Sequence, residues 1–169
     1  MNLNFKENLP SYFSDDAKVW IYQSNRPFSP DEALKIKDIL GHFVTSWKSH
    51  GVAVKGYAGL FFEHFIILMA DENQSTVSGC STDSSIHVIK EIEKKFDIHL
   101  FDRQQLAFVI KNTIQLFELS QLDIILKNNI IDINTLYFNN TVLTKRELIN
   151  KWIVSVNESW LTKRISLSK

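Results

Sequence analysis

The sequence predicts one α+β domain, and three observations predict it. Residues 19–24 and 64–70 are apolar on both alternating parities, as strands covered on both faces are. Residues 29–47 and about 82–96 carry apolar side chains at helical spacing. The chain has 169 residues and is 44% hydrophobic, long enough for one real core and too apolar for disorder.

Taken in order, residues 1–15 read as an arm that Phe5, Leu9, Tyr12 and Phe13 anchor to the body. Val19-Trp-Ile-Tyr-Gln-Ser24 has the β-branched and aromatic composition of a strand. Ser29 then caps a helix, with Pro30 at its first position and Glu32 at the third, a capping box with proline in its favoured slot. Ile36, Leu40, Phe43 and Trp47 form the buried stripe, and Gly51 ends the helix. The second strand, within 52–63, is interrupted by Gly56 and Gly59 and suits a sheet edge. The third is 64–70. A polar loop leads to a second helix, with Ile86, Ile89, Ile92 and Phe96 inward and Lys90, Glu91, Lys94 and Lys95 toward water. Leu106–Ile110 and Thr113–Phe117 read as a hairpin turning at Lys111-Asn112.

This β-α-β-β-α-β order is the ferredoxin-like pattern. It predicts a mostly antiparallel sheet over 16–118, with the first and third strands central and two helices on one face. Residues 119–169 read as an α/β elaboration on the same core, because about fifty residues bury too little alone and Trp152, Val154, Val156 and Trp160 need cover. Within it, Ser120 caps a helix over 121–129, 135–139 is a short strand, Thr144 caps a helix over 145–152, and 157–164 forms a last helical turn or two.

The 19 basic and 19 acidic residues cancel without a lysine or arginine cluster, which argues against nucleic acid as a partner. No apolar run reaches membrane-spanning length, so no membrane insertion is expected. The N-terminus lacks a signal-peptide pattern and one cysteine makes no internal disulfide, so the expected location is cytoplasmic. Five scattered histidines form no HExxH, and neither metal nor cofactor is predicted.

Two polar constellations are candidate sites. The first is Cys80 with Ser81, Thr82 and Asp83 at the start of the second helix, where free N–H groups favour an anion or a thiolate. A catalytic thiol needs a base beside it. His87, seven residues on, is about 10 Å along the axis, and Asp83 opposes thiolate formation. The plainer reading is a small buried cysteine beside an ordinary cap. The strand directions place this helix start at the pole away from Arg26, near Lys18 and the His50-Gly51 turn. The second constellation is Ser24 and Arg26 with Asp102 and Arg103, at one pole of the sheet, fit to hold a carboxylate or phosphate. Its plainer reading is an Arg26–Asp102 ion pair that pins a loop. Gly51-Val-Ala-Val-Lys-Gly56-Tyr57-Ala58 has P-loop glycine spacing, but Tyr57 and Ala58 stand where the phosphate lysine and the magnesium hydroxyl belong.

Val19–Arg26, Ser78–Asp83, Asp97–Arg103, Tyr137–Asn140 and Glu158–Trp160 together resemble a small family of uncharacterised bacterial proteins commonly labelled "ABC transporter ATPase". The resemblance runs from about Val19 to Arg164. It marks Trp20, Ser24, Arg26, Gly79, Cys80, Ser81, Asp83, Asp102, Arg103, Asn139, Asn140 and Trp160 as motif positions. The label implies nucleotide hydrolysis, which the missing Walker lysine opposes. The residues favour a non-enzymatic module that binds a small ligand or a protein, with self-association through a sheet face or edge. The alternatives are a small enzyme using Cys80 or the Arg26–Asp102–Arg103 cluster, and the labelled ATPase.

Overall fold

The computed structural model describes residues 1–71 and 79–167, with the side chains of 80–82 and 166–167 outside the description. A three-stranded antiparallel sheet has the order β1 (Lys18–Gln23), β5 (Phe65–Asp71), β4 (Lys55–Phe61). A four-stranded antiparallel sheet has the order β7 (Thr113–Glu118), β6 (Gln105–Ile110), β8 (Leu136–Phe138), β9 (Ile153–Ser155). A two-residue ladder joins β2 (Lys48–Ser49) to β3 (Val52–Ala53). The helices are α1 (Pro30–Ser46), α2 (Gly79–Phe96), α3 (Leu122–Lys127), α4 (Lys145–Lys151) and α5 (Leu161–Leu167). Mixed helix and antiparallel strand make this an α+β protein. Among the described residues no helix is long and apolar enough to cross a membrane.

The strand period of two sorts side chains into three apolar layers. Val19, Ile21, Phe65, Ile67 and Met69 point from the first sheet into a central layer, which Ala107 and Phe138 enter from the second sheet. Phe5, Leu9, Phe13, Leu148 and Trp152 complete this layer. The alternate residues Tyr22, Ile66 and Leu68 face Ile36 and Leu40 of α1 and Val88, Ile89 and Ile92 of α2. On the far side, Leu106, Phe108 and Tyr137 face Leu122 and Ile125 of α3 and Leu161 of α5. The order is helices, sheet, sheet, helices. It explains why β1 and β5 are apolar on both parities: each strand has a packed layer on either side.

The ferredoxin-like order would place the fourth strand beside the first. Instead β6 goes to the second sheet, and the free side of β1 is taken by residues 143–145. Val19 N donates to Leu143 O at 2.9 Å and Lys145 N to Ala17 O at 2.9 Å. The third strand is central as expected, whereas the first borders its sheet. The cause lies in the tail: β8 and β9 extend the β6–β7 hairpin, giving it enough partners to form a separate sheet.

Local signals hold more closely, except at Ser120, which lies inside a 3-10 turn (Leu119–Gln121) instead of capping a helix, so that α3 starts at Leu122 with no side-chain cap. The Ser29–Glu32 capping box forms with Pro30 in the first turn. Thr144 Oγ1 accepts from Glu147 N at 3.2 Å and starts α4. Helix α1 ends at Ser46, four residues before the turn that Gly51 was expected to supply as a stop. His50 and Gly51, with φ of 50° and 82°, instead form the left-handed two-residue turn between β2 and β3. The arm is anchored by Phe5, Leu9 and Phe13, while Tyr12 is exposed. Buried Lys145 fastens it further, donating from Nζ to Pro10 O at 2.9 Å and Phe13 O at 2.7 Å.

Candidate functional site

A small pocket of about 110 Å³, with mixed polar and apolar walls, opens where the end of β1, the approach to β6 and the exit of β8 meet. Its polar lining includes Gln23, Asp102, Arg103, Gln105, Tyr137 and Asn140, with Trp160 beside them. These residues come from widely separated parts of the chain, and a hydrogen-bond network ties Gln23, Gln105 and Asn140 together. Asn140 Nδ2 donates to Gln23 Oε1 at 2.8 Å, and Gln23 Nε2 donates to Gln105 O at 3.1 Å. Asn140 Oδ1 accepts from Trp152 Nε1 at 3.0 Å. Both ends of the Asn140 amide are therefore assigned, and Gln23, 6% exposed, is fully oriented.

Tyr137, 3% exposed, accepts at its hydroxyl from Trp160 Nε1 at 3.2 Å. Burial raises its pKa to about 12, and the Trp160 bond offsets a little of that rise. The phenol keeps its proton at neutral pH and has it to donate. Arg103 stands exposed at the rim. Among the described residues it has no ion pair within 4.0 Å. Its charge reaches Tyr22, where it lowers a phenol pKa that burial raises. Asp102 turns its Oδ1 back to accept from Gln104 N at 2.8 Å, which shapes the loop.

The structure divides the second predicted constellation. Asn25 N donates to His99 O at 3.1 Å, so the two loops do share a pole. Arg26, however, pairs with Glu32 rather than Asp102. Its Nη1 and Nη2 reach the two carboxylate oxygens at 2.9 and 2.8 Å, and Nη2 also donates to Phe96 O at 2.8 Å. That fork holds the Glu32 carboxyl down at about 2. Glu32 also accepts from Ser29 N at 2.8 Å, so the helix cap and the arginine clamp are one unit. Ser24 is buried, with its N–H on His64 O at 2.7 Å. Arg26 and Ser24 thus serve the loop, and Asp102 and Arg103 go to the pocket.

The first constellation lies elsewhere. Asp83 shares a groove of about 870 Å³ between α1 and α2 with Phe43, Trp47, Lys48 and His87. Its neighbour Lys48 lies two residues before the His50-Gly51 turn; that turn and Lys18, the expected surroundings of this helix start, do not line the groove. The side chains of Cys80, Ser81 and Thr82 lie outside the described residues. Among the described residues no group of three or more His, Cys, Asp or Glu side chains is placed to hold a metal ion. The P-loop spacing does not make a P-loop: Gly56 lies inside β4 under the Trp47 ring, where an added Cβ would sit 2.7 Å from Trp47 Cε3.

Gln23, Tyr137, Asn140 and Trp160 were not foreseen as pocket residues. Each nevertheless falls in a motif stretch named above, and that shared membership was the available signal. No protein-family model, curated protein or solved structure matches this chain.

Proposed function

We propose that the chain is a non-enzymatic binding module whose pocket takes a small molecule bearing a carboxylate or another oxyanion. One observation carries this reading: Arg103, with no ion pair among the described residues, stands over a pocket whose walls are already held by hydrogen bonds. A guanidinium offers a planar fork to an oxyanion, and the Tyr137 hydroxyl offers a further neutral donor. Preformed walls reduce the ordering cost of binding. Nucleotide hydrolysis finds no support, since Gly56 is a strand residue packed on Trp47. A cytoplasmic location fits the reading.

The test is thermal unfolding against increasing acetate and, separately, inorganic phosphate, at constant ionic strength. A ligand at one hundred times its Kd adds about 2.7 kcal/mol, which for a domain of this size raises Tm by roughly 5–10 °C. The rise is expected to disappear in Arg103→Ala and to persist in Arg26→Ala relative to its own baseline. An equal rise in wild type and Arg103→Ala assigns it to general salt effects and removes the proposal.

A further inference from the structure

Strand β7 is an open edge of unusual composition. Among the described residues no strand pairs with its outer side. Exposed edges are ordinarily blunted by lysine, proline, a bulge or extreme shortness. The other borders here follow that rule or are covered: β9 has three residues, β4 carries a lysine, Lys55, and β1 is paired by residues 143–145. Strand β7, Thr113-Ile-Gln-Leu-Phe-Glu118, has six residues in unbroken register with β6, no proline, no glycine and no charge before Glu118.

Its hydrogen-bonding parity follows from the turn. Ile110 pairs with Thr113 across Lys111-Asn112, whose φ values of 49° and 65° make a left-handed two-residue turn. The pair flanking such a turn exchanges both backbone bonds. Thr113, Gln115 and Phe117 therefore bond inward to β6, and Leu119 N continues the pattern by donating to Gln104 O at 2.7 Å. Ile114, Leu116 and Glu118 direct their N–H and C=O outward. Glu118 N is taken by Gln121 Oε1 at 2.9 Å. What the edge offers is Ile114 and Leu116, symmetric about Gln115.

We propose that a second copy of this chain pairs with β7 antiparallel, joining two four-stranded sheets into one. The occupant is argued from self-complementarity. A two-fold axis at Gln115 sets Ile114 opposite Leu116 of the other copy, and Leu116 opposite its Ile114, so each outward donor meets an outward acceptor. The same register sets Glu118 opposite Asn112 and next to Lys111 of the other copy, an acidic end against a basic turn at both ends of the ladder. A proline-free, locally neutral strand carries nothing that repels its own copy.

The experiment uses the full chain. Wild type is expected at twice the 19.6 kDa chain mass by light scattering at tens of micromolar, and Gln115→Lys, which sets two like charges face to face on the axis, is expected at the monomer mass with an unchanged circular dichroism spectrum. In a Cys80→Ser background, Gln115→Cys places two thiols on a non-hydrogen-bonded antiparallel pair, whose Cβ separation of about 4.5–5.5 Å suits a disulfide after a small adjustment. It is expected to give a covalent dimer at least tenfold faster than Asp31→Cys in the same background. A monomeric wild type, a Gln115→Lys chain that remains dimeric, or equal cross-linking at the two positions overturns the proposal. Capture of a different protein's strand by β7, with no dimer, also overturns it.

Discussion

Replacing Asn140 by alanine removes the hub of the pocket wall. The change deletes two hydrogen bonds, at 2.8 Å to Gln23 and 3.0 Å from Trp152. Each such bond contributes about 1 kcal/mol net, but a buried partner left unpaired costs about 1–3 kcal/mol. Trp152 has no exposed surface, and its ring is held by Phe5 at 4.8 Å and Phe65 at 5.3 Å, so its N–H cannot swing out to water. The Gln23 amide is nearly as enclosed. Allowing for overlap between the two losses, Asn140→Ala should cost about 2–4 kcal/mol, or about 5–15 °C in Tm for a chain of this length. Asn140→Asp keeps an acceptor for Trp152 and loses the donor to Gln23, so it should fall between. Asn139→Ala, which removes contacts to Lys151 and Thr141 at the surface, is the control and should cost under about 1 kcal/mol. Thermal unfolding followed by circular dichroism reads all three. Equal losses for Asn140→Ala and Asn139→Ala would refute the argument that this amide organises the site.

Further outcomes concern the elements that frame the site. Lys145→Met removes the ammonium that gathers the arm carbonyls of Pro10 and Phe13. It should cost about 2–4 kcal/mol, since bonds to a charged donor are the stronger kind, and should open residues 1–14 to limited proteolysis. Glu32→Gln breaks the Arg26 clamp. The Glu32 carboxyl is held below its ordinary 4.5 at about 2, so the advantage of wild type over Glu32→Gln is complete above pH 4.5 and fades as pH falls toward 2. A pH-independent difference in unfolding midpoint would contradict this sign. Gly56→Ala puts a methyl 2.7 Å from the buried Trp47 ring and should destabilise by about 1–3 kcal/mol, with a change in tryptophan emission.

Local chemistry was legible in the sequence where neighbours in the chain decide the outcome. The Ser29-Pro30-Glu32 cap, the Thr144 cap and the Lys111-Asn112 hairpin all needed only residues a few positions apart. The two-parity apolar pattern of β1 and β5 correctly reported burial on both faces. It did not report which sheet would supply the cover, because helices and a second sheet leave the same pattern. Strand β9, with three residues, is too short for periodicity to mark, yet with β8 it gives β6 a sheet of its own. The same long-range choice separated Arg26 from Asp102. A capping glutamate six residues away meets Arg26 first, and a local partner needs no tertiary closure. Asp102 and Arg103 were legible as a polar cluster. Their pocket partners Gln23 and Asn140 are 117 positions apart, and their pairing is decided by the docking of two sheets.

The four tryptophans test the central claim most directly, because their indole N–H groups report on separate places. Trp160 lines the pocket and Trp152 touches it through Asn140, whereas Trp47 borders the groove between α1 and α2 and Trp20 packs against Trp47 at 6.2 Å. Titration of acetate or phosphate into nitrogen-15-labelled protein should move the Trp160 and Trp152 indole signals saturably. The Trp20 and Trp47 signals should stay in place, and Arg103→Ala should abolish the response. Shifts confined to Trp47, or a Trp160 response that survives Arg103→Ala, would contradict the assignment of this pocket as the binding site.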